Sequence, residues 1–247
     1  MYKKRFIIGS LIILSIILFG MYHKRMNSIK VVESLSNNNN NIVLMGDSIF
    51  KNDTYVNRGD SVGDLLQNKH GNVLVVAEDN STINDLEYQF SKIPNNMDNS
   101  NTKIIVSVGG NDLLHKYAMA DVSKTRHVDT IFNKYTSNIN NLRNSCKCDF
   151  VLCNIYYPRS PNYVRYYDII ELWNNKLDNY AKSNGLQVID IDDKVDKAHY
   201  FTHDIEPSLS GGHIISNNHV IEGCEYVGIR TDDNKIVQAF VIASDPI

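Results

Sequence analysis

Five short apolar runs recur along the chain, at Ile42–Met45, Val73–Ala77, Lys103–Val108, Phe150–Ile155 and Gln187–Ile191. They are continuous in Val, Ile and Leu rather than alternating with polar residues, the pattern of strands buried on both faces. Helical periodicity fills the intervals near Val62–Asn68, Thr82–Ile93, Thr125–Ser145 and Tyr163–Ser183. Strand and helix alternating through short connections predict an α/β fold with right-handed crossovers. The expected sheet is parallel, of about five strands, with helices on both faces. In the last helical stretch Tyr167, Ile170, Leu172, Trp173, Leu177 and Tyr180 recur at helical spacing. That spacing assigns Trp173 to the core rather than to a binding platform.

Two strand ends carry chemistry. Ser48 follows the first apolar run through Gly46-Asp47, and Asn111 follows the third through Gly109-Gly110. In an open parallel sheet the carboxyl ends of the strands form the ligand-binding edge. A hydroxyl nucleophile beside a carboxamide N–H donor is the minimum equipment for acyl transfer. The competing reading of Ser48 is a helix N-cap, a position that Asp and Ser favour. Asp47 reads as a residue that shapes the loop.

Six ordered segments resemble the SGNH (GDSL-type) hydrolases. They are Gly46-Asp47-Ser48-Ile49 with Tyr55-Val56 and Ser61-Val62; Ala77-Glu78-Asp79-Asn80-Ser81-Thr82; and Ser107-Val108-Gly109-Gly110-Asn111-Asp112. Asn154-Ile155-Tyr156-Tyr157-Pro158, Val188-Ile189-Asp190-Ile191, and Ile205-Glu206-Pro207-Ser208 with Gly211-Gly212 complete the order. The resemblance spans roughly residues 42–219 and implies a three-layer α/β/α, flavodoxin-like sandwich. It also implies Ser48 as nucleophile, with the oxyanion held by the Asn111 carboxamide, the Ser48 backbone N–H and a third backbone N–H. The family has Gly at that third position and this chain has Asn80, a residue that tolerates positive φ. Gly59 and Gly63 are the alternatives.

The base departs further from the family pattern. Typical members end on Asp-x-x-His-Pro, whereas His203-Asp204-Ile205-Glu206-Pro207 puts Glu206 at the His position. The resembled subgroup carries the same Ile-Glu-Pro-Ser text. Three candidates follow: first His203, oriented by Glu206 or Asp204; second Glu206 itself; third His213, after Gly211-Gly212. A Glu at its reference pKa of ~4.3 is a weak base toward a Ser hydroxyl unless burial raises it. His199 and His203 have the i, i+4 spacing of helical metal ligands, but Pro207 nearby argues for solvated surface His instead. No metal or cofactor is expected.

The amino terminus adds a second layer. Lys3-Lys4-Arg5 precedes 17 uncharged residues from Phe6 to Tyr22, at the short end of what spans a bilayer as helix. Met21-Tyr22-His23-Lys24-Arg25 offers no small-residue cleavage site, which favours an uncleaved anchor over a signal peptide. The expected organisation is an anchor over 1–26, an Asn-rich tether over 27–41, a catalytic-type domain over 42–222 and a tail over 223–247. In the tail, Tyr226–Arg230 and Ile236–Ile242 flank Asp232-Asp233-Asn234 as in a β-hairpin. The basic flank favours a single-pass membrane protein with its domain outside the cytosol or in a lumen.

Lys plus Arg number 25 against 28 Asp plus Glu, and no basic stripe with interleaved aromatics occurs, so nucleic acid is not an expected partner. Cys153 sits in an apolar run and reads as an inert core thiol, whereas the Cys146–Cys148 spacing is poor for structural zinc. Asn52-Asp53-Thr54 and Asn80-Ser81-Thr82 are sequons of the kind an Asn-rich chain makes by chance. The expected function is a membrane-anchored serine hydrolase acting on a small-molecule, lipid or glycan ester. The alternative is a non-catalytic module that holds a carbohydrate or lipid in the same cleft.

Overall fold

The computed structural model describes residues 41–114, 121–217, 224–230 and 236–242. The expected anchor and nearly all of the tether lie outside these residues. Among the described residues no helix is long and apolar enough to cross a membrane.

Five strands form one sheet: β1 (Asn41–Gly46), β2 (Val73–Val75), β3 (Thr102–Ser107), β4 (Asp149–Cys153) and β5 (Gln187–Ile189). Their order is β2-β1-β3-β4-β5, and every neighbouring pair is parallel. The register sets Ile42 beside Lys103 and Gly46 beside Ser107, so β1 and β3 end level. Among the described residues six α-helices accompany the sheet: α1 (Val62–His70), α2 (Leu86–Ser91), α3 (Gly110–Leu114), α4 (Asp121–Ser145), α5 (Tyr167–Ser183) and α6 (Leu209–Asn217).

The continuous apolar runs are explained by two cores, one on each face. Val43, Met45, Ile104, Val106 and Leu152 face one side, where they meet Leu86 of α2, Phe132 of α4 and Trp173 of α5. Ile42, Leu44, Ile105, Val151 and Cys153 face the other, against Val62 and Leu66 of α1 and Ile215 of α6. The result is a three-layer α/β/α sandwich. Trp173 is fully buried, with Phe132 edge-on at 5.1 Å and Tyr135 at 5.3 Å, a core residue as its spacing predicts.

Two helical stretches differ from the sequence pattern at their starts. Residues 82–93 begin with a 3₁₀ turn, Ile83–Asp85, because Thr82 and Asp85 close a capping box across it. The stretch from 163 begins likewise as 3₁₀ over Pro161–Tyr166 before α5. At the other end of the domain, β6 (Phe201–Thr202) and β7 (Glu206–Pro207) pair antiparallel around a turn in which His203 and Asp204 both have positive φ, 47° and 71°. Cys224–Arg230 (β8) and Ile236–Ile242 (β9) form a separate antiparallel pair.

Two glycines of the motif blocks are dictated by packing. Gly46 has φ of 137°, and a Cβ there would lie 1.8 Å from the Ser107 carbonyl oxygen. Gly109 has φ of 121°, and its Cβ would lie 2.6 Å from the Trp173 ring. Each lets the chain leave its strand at a close backbone or ring contact that no side chain permits.

Candidate active site

Ser48 stands in a tight turn just past β1. The Asp47 N–H donates to the Ser107 carbonyl at 3.0 Å, which carries the β1–β3 pairing one residue beyond the strand. The chain then turns: the Phe50 and Lys51 N–H groups both donate to the Asp47 carbonyl at 3.2 Å, and Asp47 Oδ1 accepts the Ile49 N–H at 3.2 Å. Asp47 therefore shapes the loop with backbone and side chain together. Ser48 caps no helix. The cap of α1 is Ser61, whose hydroxyl accepts the Asp64 N–H at 3.1 Å. The Ser48 hydroxyl instead donates to Glu206 Oε1 at 3.2 Å.

Glu206 is pinned on both sides. The carbonyl before it, on Ile205, accepts the Tyr156 hydroxyl at 2.5 Å. The carbonyl after it, on Pro207, accepts Asn52 Nδ2 at 3.1 Å. Glu206 is 6% exposed, and its Oε2 is buried with no partner among the described residues. Burial pushes its pKa up to about 7, helped by the Asp79 charge and opposed by the bond from Ser48. Asp47 is raised to about 8 by burial, with the charges of Glu206 and Asp112 adding to the effect and the Ile49 N–H opposing it. Two neighbouring buried carboxyls thus hold protons far above the usual carboxylate range.

Asn111 is the second residue of α3, after Gly110, and its Nδ2 donates to the Ser81 carbonyl at 2.8 Å. One N–H of the carboxamide is thereby fixed, which orients the other. Asn80 adopts φ of 57°, the left-handed conformation that a Gly would take without cost. Its N–H is engaged by Asp79 Oδ1 at 2.9 Å. Ser48, Asn111 and Glu206 line one cleft of about 50 Å³, walled by the apolar side chains of Leu113, Ile155 and Ile170. A larger hollow of about 470 Å³, bounded by Lys51, Arg58, Gln67 and Val75, does not include Ser48.

The histidines are placed elsewhere. His203 Nδ1 lies 3.1 Å from Thr202 Oγ1, and its ring centroid is 5.5 Å from that of Tyr55, whose hydroxyl donates to Asp79 at 2.8 Å. His203 is exposed on this rim, and the Ser48 hydroxyl is bonded to Glu206 rather than to it. His213 lies on α6, where burial lowers its pKa, partly offset by Asp60. The His199 ring lies tilted against Tyr200, with centroids 4.3 Å apart, and belongs to neither cluster of potential metal ligands among the described residues. Those clusters are Asp98-Cys146-Cys148 and Asp190-Asp192-Asp193. Cys146, Cys148 and the buried Cys153 are free thiols.

Several residues around the site carry no mark in the sequence. Asn52 is fully buried; its Oδ1 accepts the Val62 N–H at 2.9 Å while its Nδ2 holds Pro207. Its place in a sequon points the wrong way, because a buried carboxamide cannot carry a glycan. Tyr156 and Asn154 lie in a motif block that gives no hint of their separate tasks. Asn154 Nδ2 donates to Asp190 and Asp192 at 2.6 Å each, tying the end of β4 to the loop after β5. An isolated Asn announces such a role only through the partner it meets in the fold.

The chain's similarities agree with this geometry. The profile of the GDSL-like lipase/acylhydrolase family matches residues 42–220. A lipolytic protein of the G-D-S-L family from Veillonella parvula has the same fold at TM-score 0.58 and 16% identity, over 72% of this chain and 94% of that one. Phospholipase A1 from Streptomyces albidoflavus superposes at TM-score 0.54 and 15% identity, over 72% and 98% of the two chains. An acetylxylan esterase from Geobacillus stearothermophilus gives 0.52 and 16%, over 72% and 91%. No curated protein sequence matches the chain. A strand-end Ser and Asn on a five-stranded parallel sheet, within a family profile spanning most of the chain, identify it as a member of the GDSL-like lipase/acylhydrolase family, an esterase or acyl hydrolase.

Proposed function

We propose that the protein cleaves an ester through an acyl-Ser48 intermediate, with Glu206 as the general base. The observation that carries this reading is the 3.2 Å contact between Ser48 Oγ and Glu206 Oε1, made by a carboxyl whose pKa is about 7. A base poised near the working pH combines adequate ionisation with adequate proton affinity.

In the first step Ser48 Oγ bonds to the substrate carbonyl carbon while its proton passes to Glu206. The negative charge that develops on the carbonyl oxygen is met by the free N–H of Asn111 and the backbone N–H of Ser48. Collapse breaks the ester C–O bond, and the departing alkoxide takes the proton from Glu206. Water then repeats the sequence on the acyl-enzyme, with Glu206 accepting its proton, and releases the acid. Asn80 is the third donor once its N–H leaves Asp79. His203, on the rim beside Tyr55, is not among the residues that line the cleft and takes no part in the proton transfer in this reading. The likeness to a phospholipase and an acetylxylan esterase supports acyl or acetyl groups on lipid or glycan as the substrate class.

The apolar run from Phe6 to Tyr22 anchors the chain in a membrane in this reading, with the domain outside the cytosol. Removal of residues 1–26 should then move the protein from the membrane fraction to the soluble one. The decisive test of the chemistry is labelling by a fluorophosphonate, compared between wild type and Ser48→Ala. Loss of labelling in the folded variant supports the assignment; equal labelling of both refutes it.

A further inference from the structure

At the top of β1 the regular ladder ends earlier on one side than on the other. β2 pairs with β1 only as far as Leu44↔Val75, whereas β3 continues to Gly46↔Ser107. On that side the Gly46 carbonyl accepts the Glu78 N–H at 3.1 Å, but the Gly46 N–H would be buried without a strand partner. Gln89 of α2 fills that place. Its Oε1 accepts the Gly46 N–H at 2.8 Å and its Nε2 donates to the Gly46 carbonyl at 2.8 Å. The side-chain amide thus pairs with Gly46 as a peptide of a neighbouring strand would. The second Nε2 hydrogen donates to Ser81 Oγ at 2.9 Å. Gln89 is fully buried and uses three of its four hydrogen-bonding positions, which also fixes the amide's orientation.

We infer that Gln89 is a positioning residue for the oxyanion site, an inference that rests on the acyl-serine reading above. Gly46 lies two residues before Ser48, whose backbone N–H is one donor. Ser81 offers its carbonyl to Asn111 Nδ2 at 2.8 Å, and Asn111 supplies the other donor. One buried amide therefore ties the loop after β1 to the segment that aims the Asn111 carboxamide. The distance between the two donors is set through it. Oxyanion stabilisation depends on donors held in place before charge develops, so loosening this tie acts on the transition state and leaves ground-state binding alone.

The test uses the full chain, p-nitrophenyl acetate as substrate and a boronic acid that forms a tetrahedral adduct with Ser48. Gln89→Leu, which removes all three bonds, should lower kcat by about tenfold to a hundredfold with KM within about twofold. Affinity for the boronic acid should fall by the same factor as kcat. Ser81→Ala keeps the Ser81 carbonyl and should cost much less. If Gln89→Leu does not fold, Gln89→Glu carries the test. The introduced carboxyl is a donor when protonated and opposes the Gly46 carbonyl when ionised, so its activity relative to wild type should fall as pH rises between about 5 and 9. A folded Gln89→Leu with wild-type kcat and boronic acid affinity, or a flat ratio for Gln89→Glu, overturns the role. A wild-type chain that neither turns over the ester nor reacts with a fluorophosphonate overturns the hydrolase reading itself, and this role with it.

Discussion

Asn52 and Pro207 stand 155 positions apart and are joined by one buried hydrogen bond, from Asn52 Nδ2 to the Pro207 carbonyl at 3.1 Å. The same carboxamide accepts the Val62 N–H, so the start of α1 and the strand that carries Glu206 share a single side chain. Glu206 reaches Ser48 because its two flanking carbonyls are held, one by Asn52 and the other by Tyr156.

The Asn52 tie yields a test of stability and rate together. Asn52→Leu strands a buried N–H and a buried carbonyl, each costing about 1–3 kcal/mol, and should lower the melting temperature clearly. Asn52→Asp keeps the acceptor for Val62 but turns an oxygen toward the Pro207 carbonyl. Its kcat should drop more than its stability suggests, because β7 is the element displaced. A variant with a lowered melting temperature and unchanged kcat would show that Asn52 supports the fold without positioning Glu206.

Asn111→Ala removes one oxyanion donor. The expected effect is a fall in kcat of about two to three orders of magnitude with little change in KM. Steady-state kinetics on a small ester decide it. A change confined to KM would make Asn111 a substrate-binding residue instead.

The sheet and the positions of Ser48 and Asn111 were legible because they rest on local signals. Continuous apolar runs are what two-sided burial produces, and the Gly residues beside each site residue answer backbone contacts that any sequence with this fold must accommodate. The ties around Glu206 and Gly46 were not legible, because Asn52, Tyr156 and Gln89 hold Pro207, Ile205 and Gly46 across 43 to 155 positions. The ordering of candidate bases could not be read for a related reason. A Glu is a weak base in water, and its burial, which alters that, is a property of the assembled hairpin and not of the segment Ile205-Glu206-Pro207.

Asp47 predicts how stability responds to pH. Its folded pKa is raised to about 8 from an ordinary value of 3.8, chiefly by burial. Between those values the native state binds more protons than the unfolded one, so stability falls as pH rises across that window. Glu206, raised to about 7, adds to the same trend. The melting temperature should therefore be higher at mildly acidic pH than at pH 8. Asp47→Asn keeps an acceptor for the Ile49 N–H and cannot ionise, so it should flatten the profile and be the more stable protein at the alkaline end. Parallel profiles for the two proteins would mean that Asp47 is not the group responsible.

The identity of the base is decided by two variants and a pH profile. With Glu206 as base the ionised carboxylate is the competent form, so activity should be low below about 7 and rise to a plateau above it. Glu206→Gln preserves the shape and an acceptor for the Ser48 hydroxyl but cannot take its proton, and should reduce kcat by about two to four orders of magnitude. His203→Gln should leave kcat nearly unchanged, because the imidazole stands beside Thr202 and Tyr55 on the rim. Any base must be deprotonated to act, so a rise in rate with pH does not by itself name the base. The profile therefore cannot separate the two on its own, and the order of the variants does. A silent Glu206→Gln with an inactive His203→Gln would assign the proton to His203. In that case the rim loop, with its positive-φ residues His203 and Asp204, must swing inward when substrate binds.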